Sequence, residues 1–371
     1  MLRIRLVAPV VLATLSFAAC SSGSGSGGTD AGYPMDKTLR LDQVQVLASH
    51  NSYHGRPADG VLDALTEAGI AIGLDYEHAP LAEQFDLGVR GIELDVYDDP
   101  AGGAFTSSDF LRSVGAPLPD PAVMAAPGFK VLHQAGVDTN STCLTFVACL
   151  GIVEQWSDAH PGHVPIAVQI EMKDDTVTEE TFGRLEAEIA ATLTRDDYFT
   201  PDDVRGDAPT LGEAVRTKGW PALGDIRGKV YFLLDNGGLR DLYLAGHPSL
   251  RGRTLFTPSS PGQDDAAFAK LNDPVKNAAA IAAAIAANML VRTRADADTL
   301  EARTNDTATS LAALRSGAQV VSTDYERPDP KIGTGYVVVI PDGTPARCSP
   351  VNAPPGCTPD DVENPAYLTR R

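Results

Sequence analysis

Two histidines, an asparagine and three carboxylates stand out because each lies in or just after a run of apolar residues. His50 and Asn51 follow VQVLAS (44–49), Glu93 and Asp95 lie in VRGIELDVY (89–97), His133 ends FKVLH (129–133), and Glu171 lies in PIAVQIEM (165–172). If these runs are strands, the two-residue alternation sends Ile92, Leu94 and Val96 to one face and Glu93 with Asp95 to the other. The same alternation groups Gln169, Glu171 and Lys173. Three carboxylates brought together repel one another and lose hydration unless a cation or protons neutralise them. A set made of Asn51, Glu93, Asp95 and Glu171 is all oxygen, which suits a hard cation; its irregular mixture of amide and carboxylates suits calcium better than magnesium. His50 and His133 are then free for proton transfer. That combination matches phosphodiester cleavage, in which a metal offsets phosphate charge and lowers the pKa of an attacking hydroxyl. One imidazole would donate to a phosphoryl oxygen and the other would protonate the leaving group.

These residues need a scaffold that gathers strand ends. Eight apolar runs qualify as strands: 44–49, 89–97, 129–133, 165–172, 229–235, 253–257, 289–293 and 318–323. Between them lie amphipathic or Ala-rich stretches at 144–160, 178–193, 277–288 and 306–317, the last ending on Gly317 where a helix C-cap favours glycine. Eightfold alternation predicts an α/β fold, a (β/α)8 TIM-type barrel whose catalytic groups sit at the carboxyl ends of its strands. The stretch 98–128 has no clear helical pattern, so an irregular barrel is expected. Residues 39–335 are assigned to the barrel and 336–371 to a Pro-rich C-terminal extension held by a disulfide loop.

His-Asn after the first strand, Glu-x-Asp in the second, Leu-His after the third and Ile-Glu in the fourth resemble the catalytic half-barrel of phosphoinositide-specific phospholipase C. HNSYH, RGIELDVY, RGKVYFLLD, VRTRADAD and VSTDY extend the resemblance, in order, across roughly residues 41 to 325 and toward the calcium-dependent, secreted bacterial branch. The resemblance implies calcium bound by Asn51, Glu93, Asp95 and Glu171. It implies that His50 stabilises the phosphorane-like transition state, that His133 is general acid to the lipid leaving oxygen, and that Glu93 accepts the proton of the inositol 2-hydroxyl. The expected reaction converts phosphatidylinositol to diacylglycerol and an inositol cyclic phosphate. A glycerophosphodiester phosphodiesterase shares the Glu-x-Asp and the two histidines, but typically opens with His-Arg-Gly where this chain has His50-Asn51-Ser52. A surface lipoprotein that binds inositol head groups without catalysis is a third reading, weakened by the presence of both histidines and all the proposed ligands.

Several further residues are assigned from strand position alone. Lys173 would either meet the substrate phosphate or pair with a neighbouring carboxylate; Arg292, with Arg294 on the same face, would bind phosphate or inositol hydroxyls or else brace Asp296; and Tyr325 would either stack on the sugar ring or pack. Asp235 and Asp324 end strands and are either ligand contacts or loop caps. His54, His78, His160, His163 and His247 are expected to be exposed loop residues without a role.

Residues 1–19 read as a signal peptide, with Arg3 and Arg5 before an apolar run and Ala18-Ala19 before Cys20. A cysteine at that point, followed by a Gly/Ser tether to residue 38, predicts lipidation of Cys20 and anchoring at the bacterial cell envelope, ordinary secretion being the alternative. Export leaves Cys143, Cys149, Cys348 and Cys357 in an oxidising compartment, and their spacing gives two local disulfides, 143 with 149 and 348 with 357. A formal charge of −19 argues against nucleic acid and against adhesion to anionic lipid by charge. No protein partner is implied.

Overall fold

The computed structural model describes residues 32–341 and 344–367. Residues 1–19, expected to be a signal peptide, Cys20, expected to carry a lipid, and most of the expected tether lie outside the described residues. Ten strands form one sheet: β1 (Val44–Ser49), β2 (Val89–Tyr97), β3 (Lys130–Val131), β4 (Ile166–Met172), β5 (Val230–Leu234), β6 (Leu255–Phe256), β7 (Phe268–Lys270), β8 (Leu290–Arg294), β9 (Val320–Thr323) and β10 (Ala346–Cys348). Eight of them run parallel in the order β6-β5-β4-β2-β1-β9-β8-β7. The seam between β6 and β7 is crossed by a single parallel bridge, Pro258 to Phe268, so the TIM-type barrel is nearly closed. The predicted helical stretches form helices at Phe146–Ala159, Glu179–Thr192, Ala278–Ala286 and Ala308–Arg315. Gly317 follows the last of these at φ 83°, the left-handed cap expected of it.

One predicted barrel strand is corrected. Residues 129–133 are not a parallel stave: β3 is a two-residue antiparallel pair against the carboxyl end of β2, with Val96 opposite Val131 and Tyr97 opposite Lys130. A parallel return needs a crossover of a dozen or more residues, usually a helix. The connection 98–129 offers only two five-residue helices, Asp109–Ser113 and Pro121–Ala125, and the chain stays at the barrel mouth. The stave that completes the eight is β7, whose three residues FAK are too short for an alternation signal.

Beyond β9, Tyr336, Val338 and Ile340 are buried against the main core, and β10 pairs antiparallel with β1 at Val44–Val46. Near the chain's end Glu363 enters the base of the barrel and pairs with Arg90, both side chains fully buried, while the Arg90 guanidinium lies 4.5 Å over the Trp156 ring. Both local disulfides are present, Cys143–Cys149 and Cys348–Cys357.

His163, expected to be exposed, is 0% exposed and lies 2.7 Å from Ser157 Oγ. Burial is the largest influence on its imidazole and pushes it down to about 4, against the opposing pull of Glu363. Because this pKa lies below the unfolded value of 6.5, the unfolded chain binds the extra proton first. The stability contribution, roughly 3 kcal/mol, is therefore present above about pH 6.5 and lost as pH falls through 4. Melting temperature should drop across that window, and His163→Gln should flatten the drop; an unchanged slope in the variant would place the acid sensitivity elsewhere.

Candidate active site

The site begins where β1 ends. Asn51 takes φ 48°, a left-handed turn that asparagine tolerates better than most residues. The turn is tied to β2 twice: Ser52 N donates to Glu93 O at 2.9 Å, and Glu93 N donates to Ser52 Oγ at 2.8 Å. His50 and Asn51 are thereby fixed beside the Glu93–Asp95 segment. This explains the polar block that terminates an otherwise apolar strand.

His50 Nδ1 lies 2.7 Å from Asp324 Oδ1 at the end of β9, and Arg294 at the end of β8 donates to Asp324 Oδ2 at 2.8 Å. Burial alone would raise the Asp324 carboxyl; Arg294 and His50 more than offset it and hold the group ionised, well below the usual range. An ionised Asp324 only accepts, so His50 donates from Nδ1. Its Nε2 then carries the lone pair, with Arg294 Nη1 at 3.3 Å. Burial, followed by Arg294, lowers the His50 pKa against the pull of Asp324, which favours the neutral ring. Behind it, His78 bridges Glu326 Oε2 at 2.7 Å and the His50 carbonyl at 2.6 Å.

His133 has the same kind of support. Its Nδ1 lies 2.8 Å from Asp138 Oδ2, and that oxygen also lies 2.8 Å from His54 Nε2. Burial would raise Asp138, but the hydrogen bonds from His133 and His54 bring it down to about 2. His50 and His133 line one cavity of about 250 Å³, together with Asn51, Tyr76 and the 70–74 segment.

Beside the two histidines lies the acidic cluster. Carboxylate oxygens of Glu93, Glu171 and Asp235 all come within 4.8 Å of one another. Asp95 is 0% exposed, and among the described residues neither of its oxygens accepts a hydrogen bond, although Lys173 Nζ lies 3.2 Å from Oδ2 and 3.4 Å from Glu171 Oε1. Burial, then the neighbouring Glu171, pushes Asp95 well above the usual carboxylate range against the pull of Lys173. Asn51 Oδ1 is a further buried acceptor with no partner among the described residues. Buried oxygens as thinly satisfied as Asp95 Oδ1 and Asn51 Oδ1 are the condition a hard cation relieves, and the donor set contains no nitrogen or sulfur ligand. Asn51, Glu93, Asp95 and Glu171 offer the oxygen-only donors that suit calcium, and the acidic group that closes within 4.8 Å is Glu93, Glu171 and Asp235. Asp235 is already engaged by Gln169 Nε2 at 2.6 Å and by Lys270.

Three sequence assignments change. Arg292 does point inward, but it is 2% exposed and its guanidinium donates to Glu93 at 2.5 Å, to Ser322 at 3.2 Å and to Asn272. It holds Glu93 rather than a substrate, and Arg294 is the arginine at the mouth. Tyr325 is 2% exposed with its ring edge-on to Tyr336 at 5.4 Å, so it packs and offers no face to a sugar. Of the histidines expected to be exposed, His54 and His78 are buried supports of the site, and His160 stacks on Trp156 at 4.0 Å. The sequence does not single out Asp138 or Glu326, and it offers Arg294 as the inward neighbour of Arg292 without its tie to Asp324. The spacing of His50 and His54 within HNSYH was the available signal, but nothing local links either to Asp138.

Two carboxylate-backed imidazoles beside an oxygen-only acidic cluster, at the carboxyl end of a parallel barrel, are compatible with a phosphodiester-cleaving enzyme. The family model described as phosphoinositide phospholipase C, Ca2+-dependent, matches residues 39–350. The chain belongs to that family. Among solved structures, a calcium-dependent phosphoinositol-specific phospholipase C from Pseudomonas sp. in complex with myoinositol aligns at TM-score 0.54 and 17% identity. That alignment covers 85% of this chain and 98% of the other. A calcium-dependent phosphatidylinositol-specific phospholipase C from Streptomyces antibioticus aligns at TM-score 0.50 and 21% identity, covering 79% and 96%. No curated protein matches the sequence.

Proposed function

We propose that this phospholipase C cleaves phosphatidylinositol-type diesters by intramolecular attack of the inositol 2-hydroxyl on phosphorus, with His50 and His133 moving the protons. The observation that carries the reading is the pair of imidazoles at one cavity, each held by its own ionised aspartate. His50 presents a lone pair at Nε2 and takes the proton of the attacking hydroxyl. That role was expected of Glu93; but the Glu93 carboxylate, which burial alone would raise, is held below its ordinary value chiefly by Arg292, making it a weak base and a better ligand. His133, its Nδ1 proton donated to Asp138, delivers a proton from Nε2 to the diacylglycerol oxygen as the P–O bond breaks. The products are diacylglycerol and the inositol cyclic phosphate.

Asn51, Glu93, Asp95 and Glu171 would hold calcium. When bound it supplies positive charge against the phosphate and lowers the pKa of the attacking hydroxyl. Lys173, 20% exposed beside these carboxylates, and Arg294, paired with Asp324, would meet the phosphoryl oxygens. Export and a lipid anchor at Cys20 would put the enzyme at the cell envelope, reaching lipid without charge attraction. Phosphorus NMR of products from a panel of phosphodiesters, with and without calcium, tests the reading. A cyclic inositol phosphate from phosphatidylinositol only with calcium is expected; turnover of glycerophosphodiesters in preference would overturn it.

His50→Ala should slow a lipid substrate and an aryl-leaving-group analogue about equally, since proton removal from the hydroxyl is common to both. A deficit confined to the lipid substrate would exchange the two histidines.

A further inference from the structure

Asp138 holds two histidines, and the mechanism uses one of them. His54 is 0% exposed, its ring stacks on Tyr76 at 4.4 Å and lies edge-on to His133 at 5.6 Å, and its Nε2 contacts the same Asp138 Oδ2 that serves His133. An ionised aspartate only accepts, so both rings donate to it. His54 is then the Nε2–H tautomer, consistent with a buried Nδ1 that has no partner among the described residues. Asp138 Oδ1 likewise has none, so the hydrogen bonds fixing this carboxylate converge on one oxygen. Remove His54, and Asp138 keeps a single donor in a dry site. It is then free to turn its other oxygen toward His133 or to take up a proton.

We infer that His54 is a positioning residue for the leaving-group step: it holds Asp138 oriented so that His133 keeps its Nδ1–H on Asp138 and its Nε2–H aimed at the leaving oxygen. This rests on the assignment of His133 as the acid. A ring kept only for packing on Tyr76 would be replaceable by phenylalanine; a ring kept for its N–H would be replaceable by an amide that reaches the same place. His54→Phe preserves the stacked ring and loses the donor, whereas His54→Gln places an amide N–H near the position of Nε2.

The test compares kcat on phosphatidylinositol with kcat on an inositol aryl phosphodiester whose leaving group needs no proton. His54→Phe should lower the lipid rate about 10- to 100-fold, leave KM and the aryl rate within about threefold, and be largely rescued in His54→Gln. If the Phe variant does not fold, His54→Asn, one methylene too short to reach Asp138, should give the same lipid-selective loss. An active Phe variant with an impaired Gln variant, or equal losses on both substrates, would overturn the inference and reduce His54 to packing. His133→Ala run alongside separates the two claims. If its own deficit is not lipid-selective, the acid assignment fails; if it is selective and the His54 variants are not, the positioning role alone fails.

Discussion

Replacing His133 with alanine is expected to lower turnover of phosphatidylinositol by about 10² to 10⁴, the range for removing a general acid. The loss should shrink sharply for an aryl leaving group that departs as a stable anion. The geometry explains why the whole effect should fall on the leaving group. His133 Nδ1 is committed to Asp138, leaving Nε2 as the ring's remaining site for proton transfer, and the ring is 16% exposed, open to the cavity it shares with His50. Stopped-flow or phosphorus NMR rates on the two substrates check this directly. Equal losses would remove His133 from the acid role.

Calcium removal should be as severe. Without the cation, Glu93, Asp95 and Glu171 face an anionic diester with only Lys173 and the arginines to offset them. Chelator should therefore abolish measurable cleavage, and Asp95→Asn should lose at least about a hundredfold with calcium present. The stability change should go the other way. Burial and Glu171 disfavour the charged form of Asp95, so the carboxylate opposes folding when no cation is bound; the isosteric amide removes that penalty. Thermal melts in chelator should show Asp95→Asn equal to or more stable than the parent. A variant that lost activity by unfolding would contradict this, as would full activity in excess chelator.

The part of the site legible in the sequence was the part written by period-two alternation. Glu93 and Asp95 had to share a face of β2, Gln169 and Glu171 a face of β4, and His50 and Asn51 had to fall just past β1. The supports were not legible because they come from long-range pairings. Asp324 reaches His50 across 274 positions and Glu326 reaches His78 across 248. Asp138 stands only five residues from His133, but its second partner, His54, arrives from another loop. The barrel count came out at eight for a partly mistaken reason: FKVLH has a strand's composition, but its connection lacks a crossover helix, and a three-residue stave took its place. Arg292 and Tyr325 were placed correctly on inward or terminal positions; burial, which strand position does not encode, decided against substrate contact.

We propose that one calcium ion, held by Asn51, Glu93, Asp95 and Glu171, binds beside the cavity shared by His50 and His133. A crystal of the protein grown with calcium and myo-inositol, with calcium located by its anomalous scattering, tests it most directly. One ion is expected among those four side chains, with Lys173 withdrawn from Asp95 and inositol between the two imidazoles. An ion bound elsewhere, with Lys173 still seated against Asp95 and Glu171, would contradict it.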